Sequence, residues 1–137
     1  MDQTNSNANK KEEYSPTDIF SGMIYYMPEE KYLGKRSDMD KVLLKLKQEY
    51  ALKNNLLDNF DIYAGGFCPI IVNLSQISYG LIISRVVYTD GDGGLIKNEA
   101  ANKEIEDKIL NLFDKKEIKQ LQMMAGDYVK ILSKYLK

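Results

Sequence analysis

The sequence predicts an α+β fold, mostly helical, with one β-hairpin set among helices. Three observations carry that prediction. The stretch Ser84-Arg-Val-Val-Tyr-Thr-Asp-Gly-Asp-Gly-Gly-Leu-Ile-Lys-Asn-Glu99 reads as a strand, a tight polar turn and a second strand. Two segments before it and two after it carry apolar residues at helical spacing. A short apolar, helix-like segment leads directly into the hairpin. Helices, a hairpin and two closing helices are the order of a winged helix-turn-helix domain, with the hairpin as the wing.

Residues 1 to 14 are polar and read as a flexible N-terminal arm, followed by a single domain over 15–137. Ser15 and Pro16 look like the cap and first position of a helix running to Met27, where Pro28 stops it. Ile19, Phe20, Met23, Ile24 and Met27 share one face of that helix. Ser37 or Asp38 can cap a second helix over 38–54. Its buried stripe is Met39, Val42, Leu43, Leu46 and Tyr50, and its wet face is Lys41, Lys45, Lys47, Glu49 and Lys53. Phe60–Tyr63 alternates like a short strand, and Gly65-Gly66 breaks it.

Residues 70–81 are expected to form a short helix, although Ile70-Ile71-Val72 favours a strand. Residues 82–89 read as a strand, and Asp90–Gly94 supplies the positive-φ residues of a hairpin turn. Asn98 or Asn102 caps a helix over 101–113, which Asp114 breaks. The last helix, 115–136, carries Ile118, Leu121, Ala125, Tyr128, Leu132 and Tyr135 at alternating spacings of three and four. That is the a/d spacing of a coiled-coil seam.

Composition removes several function classes. The chain has 137 residues, 44% of them apolar, enough to bury a core. With 19 basic and 20 acidic side chains its net charge is -1, without the basic footprint of a nucleic-acid binder. Arg36 and Arg85 are its only arginines. It has no histidine, which removes serine–histidine and cysteine–histidine catalysis, histidine-ligated zinc and a histidine pH switch. The single cysteine, Cys68, allows neither an intrachain disulfide nor a multi-cysteine metal site, and fits a reducing cytoplasm. No segment has the features of a signal peptide or a membrane helix.

The chemistry-bearing motifs mostly fail their spacing tests. Asp90, Asp92 and Glu99 suggest a calcium loop. Counting from Asp90, however, Leu95 stands where the loop's invariant glycine belongs and Ala101 where its bidentate glutamate belongs. Gly65–Pro69 lacks the Lys and Ser/Thr of a phosphate loop, and Cys68 has no activating neighbour. Acidic pairs remain, Asp58 with Asp61 and Glu104 with Glu106 and Asp107. They could support a hydrolase only in a cleft that raises a carboxyl pKa. No enzymatic activity, cofactor or metal is expected.

Two readings of the helices remain. The stripe Ile118, Leu121, Ala125, Tyr128, Leu132 and Tyr135 is a candidate interface for a protein partner or a homodimer. If 70–81 is instead a recognition helix, Asn73, Ser75, Gln76 and Tyr79 face DNA, with Arg85 and Lys97 on the wing. That helix carries no cation, and the wing tip carries two aspartates that phosphate repels. A protein partner is therefore preferred to DNA.

Ser37-Asp-Met-Asp-Lys-Val-Leu-Leu-Lys-Leu-Lys-Gln-Glu-Tyr50 resembles the "LQKLLY" helix of small winged-helix proteins, the Panacea-type antitoxin domain and its bacterial and archaeal relatives. Phe60–Pro69 is similar to their aromatic strand, with Phe67-Cys68-Pro69 following Gly66 where they have Gly-Pro-Tyr-Ser. Gly80-Leu81-Ile82 resembles their "GLI". The resemblance spans residues 18 to 100. It implies the winged-helix fold and a regulatory role as antitoxin or adaptor, commonly on phages and other mobile elements.

Overall fold

The computed structural model describes residues 14–66 and 69–136. The arm expected over residues 1–13, and the single cysteine Cys68, lie outside them. Tyr14, expected in the arm, belongs to the folded part. Its ring packs on Phe113 with centroids 4.5 Å apart, and its hydroxyl donates to Glu117 Oε1 at 2.8 Å.

Helix α1 (Pro16–Tyr25) starts as expected: Ser15 Oγ accepts from Thr17 N at 3.1 Å, with Pro16 in the first turn. Strand β1 (Tyr32–Gly34) follows, and α2 spans Arg36–Tyr50. Neither Ser37 nor Asp38 is the cap residue of α2. Asp38 lies in its first turn and accepts from Lys35 N at 3.0 Å. Gly34 has φ +106, and a Cβ there would stand 2.8 Å from Asp38 Cβ, so the β1–α2 corner needs glycine.

Strands β2 (Ile62–Tyr63) and β3 (Ile70–Ile71) form an antiparallel ribbon. Helix α3 then runs Leu74–Ile83. The expected helix over 70–81 is thus a strand followed by a helix. The expected strand over 82–89 begins only at Val87, because Ile82 and Ile83 complete α3. Strands β4 (Val87–Thr89) and β5 (Leu95–Lys97) make the hairpin, and β1 pairs with β5, giving an antiparallel sheet ordered β1-β5-β4. At the turn, Asp90 Oδ1 accepts from Asp92 N at 2.8 Å and Gly94 N at 2.9 Å, while Gly91 and Gly93 take positive φ. These bonds hold the Asp90 carboxyl below its usual range, led by the one from Asp92.

The expected helix over 101–113 is a 3-10 turn (Glu99–Ala101), helix α4 (Asn102–Lys108) and a second 3-10 turn (Leu110–Leu112). Asn98 caps the first turn, its Oδ1 accepting from Ala100 N. Helix α5 (Lys115–Tyr135) begins with a reciprocal cap: Asp114 Oδ1 accepts from Glu117 N and Glu117 Oε1 from Asp114 N. Asp114 therefore starts this helix as well as ending the previous segment.

The fold is mixed helix and sheet around one hydrophobic core. The four apolar residues expected inward within α1 are buried, as are Met27 just past its end and all five on α2. Phe20 sits at the centre, its ring 5.6 Å from Tyr128 and 6.4 Å from Phe60. Lys47, expected on the wet face, instead donates to the carbonyls of Leu57 (3.1 Å), Asp58 (3.1 Å) and Phe60 (2.7 Å), pinning the loop after α2.

The tyrosines make the fold sensitive to alkali. Tyr14 is pushed up to about 12, by burial first and then by its bond to Glu117. Tyr25 is pushed up to about 12, by its bond to Glu106 first and then by burial. Tyr50 and Tyr128 are raised, chiefly by burial. Folded values above the unfolded value of about 10 give a contribution that is complete below pH ~10 and lost as pH rises through the folded values. Helical circular dichroism should therefore collapse above pH ~10, together with a cooperative rise in tyrosinate absorbance. Full ionisation of every tyrosine near pH ~10 with the helices intact would contradict this packing.

Candidate partner-binding surface

Helix α3 turns Leu74, Ile77 and Leu81 into the core. With 3.6 residues per turn, its other side is presented outward. Ser75 and Gln76 are exposed there, with Tyr79 67%, Ile82 39% and Ile83 62% exposed. The ribbon leading into α3 adds exposed Ile62, Tyr63, Ile70 and Val72, and the hairpin adds Tyr88. None of the side chains on α3 is charged. Single exposed apolar residues are ordinary, but three on one short helix and four on the segment preceding it are a concentration.

The two arginines bracket this helix. Arg36, at the start of α2, donates from Nη1 to Ser75 Oγ near the N-terminus of α3. Arg85 follows its C-terminus and is exposed.

The structure separates the residues considered for DNA. Ser75, Gln76, Tyr79 and Arg85 lie on or beside the outward side of α3. Asn73 does not serve as a reader: its Nδ2 donates to Asn59 O at 2.9 Å and its Oδ1 accepts from Asp61 N at 3.2 Å, tying α3 to the chain before β2. Lys97 is corrected too. It is only 2% exposed, and its Nζ donates to the carbonyls of Tyr25 (2.9 Å) and Met27 (2.7 Å), so phosphate cannot reach it.

The proposed interface stripe on α5 is also corrected. Leu121, Ala125, Tyr128 and Leu132 are buried in the chain's own core against α1, α2 and β1. Ile118 packs partly on that core. Only Tyr135 stays well exposed, with the Lys41 ammonium 5.6 Å from its ring centroid. The spacing of three and four is shared by a coiled-coil seam and an intradomain amphipathic helix, and here the second holds.

Among the described residues no cluster of three or more Cys, Asp and Glu can hold a metal ion, and no helix is long and apolar enough to cross a membrane. Of the acidic pairs, Glu104 is bonded to Lys108 at 3.0 Å, and Glu106 accepts from the Tyr25 hydroxyl. In sequence the outward residues over 70–81 read as polar apart from Tyr79, and Ile82 and Ile83 read as strand, which hides the apolar part of the outward side of α3.

The fold and this surface define a class only coarsely, a mixed helix–sheet domain with an uncharged, partly apolar helix face. No family model, curated protein or solved structure matches the chain.

Proposed function

We propose that the chain is a winged-helix interaction module that binds another protein through the outward side of α3, in a regulatory role such as antitoxin or adaptor. The winged-helix reading is supported by the order of elements. One helix, a strand, a second helix, the β2–β3 ribbon, a third helix and a hairpin follow in sequence, and the first strand completes the hairpin's sheet in the order β1-β5-β4. The observation that carries the protein-partner reading is the exposure of Tyr79, Ile82 and Ile83 on a helix with no cation. Apolar and aromatic side chains on an exposed helix suit a protein groove, and affinity for DNA depends on phosphate neutralisation that this helix does not supply.

A photo-crosslinking residue at position 79 tests it in cells, with the same residue at exposed Lys103 as control. A discrete protein adduct is expected from position 79 alone. A charge in place of Ile83 (Ile83→Asp) should remove that adduct, since a buried charge at an interface centre costs about 2 kcal/mol or more. The folded chain should tolerate the change, because Ile83 is already exposed. Equal adducts from both positions, or none from 79, would sink the reading.

The arginine bracket favours one alternative, a DNA-binding regulator with the same fold. It expects duplex binding that weakens steeply with salt and is lost in Arg36→Ala with Arg85→Ala. Light scattering with and without duplex DNA at two salt concentrations separates the two readings.

A further inference from the structure

A groove of about 600 Å³ lies between the first turns of α1, the end of α3 and helix α4. That is the size of a small-molecule site. Ile83, Val86, Ile105 and Ile109 form the apolar part of its wall, and Thr17, Ser21 and Ser84 add hydroxyls. Glu104 and Lys108 also line it, but they neutralise each other at 3.0 Å. Asp18 and Arg85 are different. Each lines the groove, and neither side chain makes a hydrogen bond or ion pair among the described residues.

Asp18 is half-buried, and burial alone raises its carboxyl above the usual carboxylate value. A half-buried carboxylate that accepts no hydrogen bond is unfavourable, and an arriving ammonium would relieve it. Arg85 presents a planar guanidinium that suits a carboxylate. Its backbone makes the point independently. Val86 N donates to Leu81 O at 2.9 Å and Arg85 N to Ile82 O at 3.0 Å, the paired bonds that end a helix in a left-handed residue. Arg85 occupies that left-handed position with φ 65. The backbone there favours glycine, and an arginine held at such a position points to a use for its side chain.

We propose that this groove binds a small zwitterion with an apolar body, a free hydrophobic amino acid being the simplest, with its ammonium on Asp18 and its carboxylate on Arg85. The groove meets the α3 surface at Ile83 and Arg85, while Gln76, Tyr79 and Ile82 do not line it.

Titrating L-phenylalanine and L-leucine into the isotopically labelled chain tests it by amide chemical shifts. Saturable shifts are expected at Asp18, Arg85 and Ile105, and none at Gln48. N-acetyl-L-phenylalanine and phenethylamine each lack one charge and should bind about tenfold more weakly. Arg85→Gly removes the guanidinium while easing the backbone. It should unfold at an unchanged or higher denaturant concentration, yet bind phenylalanine no better than it binds phenethylamine. Arg85→Gln, which keeps the side-chain stem, should show the same loss. Absence of saturable shifts with both amino acids overturns the proposal, as does equal binding of the singly charged analogues or full binding by both Arg85 variants.

Discussion

Replacing Lys97 with methionine should destabilise the chain by about 3 kcal/mol, lowering its melting temperature by roughly 10 °C. The methionine keeps most of the stem volume, so the loss measures the ammonium. That group lies inside the protein and makes two bonds at the end of α1, to Tyr25 O at 2.9 Å and Met27 O at 2.7 Å. It also lies 3.4 Å from Glu99 Oε2, with the lysine side chain 3% exposed. A cation at the carboxyl end of a helix meets the negative end of the helix dipole, so both carbonyls and the dipole favour it. Without it, two carbonyls and the Glu99 carboxylate lose their counterpart. Glu99 Oε2 is buried and has no hydrogen bond of its own, so the residual charge is the larger part of the cost. Adding Glu99→Gln to Lys97→Met should therefore recover about 1 kcal/mol. Denaturant titration of the two single variants and the double variant checks this. A cost below about 0.5 kcal/mol for Lys97→Met would show that the ammonium is solvated.

The burial of Lys97 was partly legible. Leu95 and Lys97 are two apart on one strand, so period-two alternation puts both on the same face, and both are buried. Charge argued against that inference, and sequence alone does not show the helix end that receives the ammonium. Lys47 is similar. It flanks the α2 stripe four residues after Leu43 and three before Tyr50, yet its three carbonyl partners come from a loop whose path is set by tertiary packing. The long periodic helices were legible because their apolar faces and caps are local: Ser15 and Pro16 for α1, and the stripe of α2. The short apolar run 70–72 was not. Ile70 and Ile71 pair with Tyr63 and Ile62 of β2, a choice of partner that periodicity does not report. Residues 82–89 misled for another reason. Glycine often marks the residue just past a helix end, and past α3 that position holds Arg85, so Ile82 and Ile83 read as strand and the exposed apolar residues closing α3 are not visible in sequence.

Tyr128 decides how the α5 pattern is used. On the interface reading, removing its ring weakens association and leaves the folded monomer intact. The structure expects the opposite. Tyr128 is fully buried, its ring lies 5.6 Å from Phe20, and its hydroxyl donates to Leu33 O in β1 at 2.8 Å. Truncation to alanine deletes an aromatic from the centre of the core and should cost about 4 kcal/mol or more. That is a large share of the roughly 5–15 kcal/mol that holds a domain of this size. Tyr128→Phe keeps the ring and removes only the donor. It should cost about 1–2 kcal/mol, because Leu33's carbonyl is left buried without that bond. Tyr135→Ala, at the exposed end of the same stripe, should stay within about 0.5 kcal/mol. Urea unfolding midpoints for the three variants, read beside their sedimentation at several concentrations, separate the cases. A gradient from large to negligible cost, with no change in association state, is the signature of a helix that packs inward. A Tyr128→Ala chain as stable as the parent but altered in association would return the stripe to the surface.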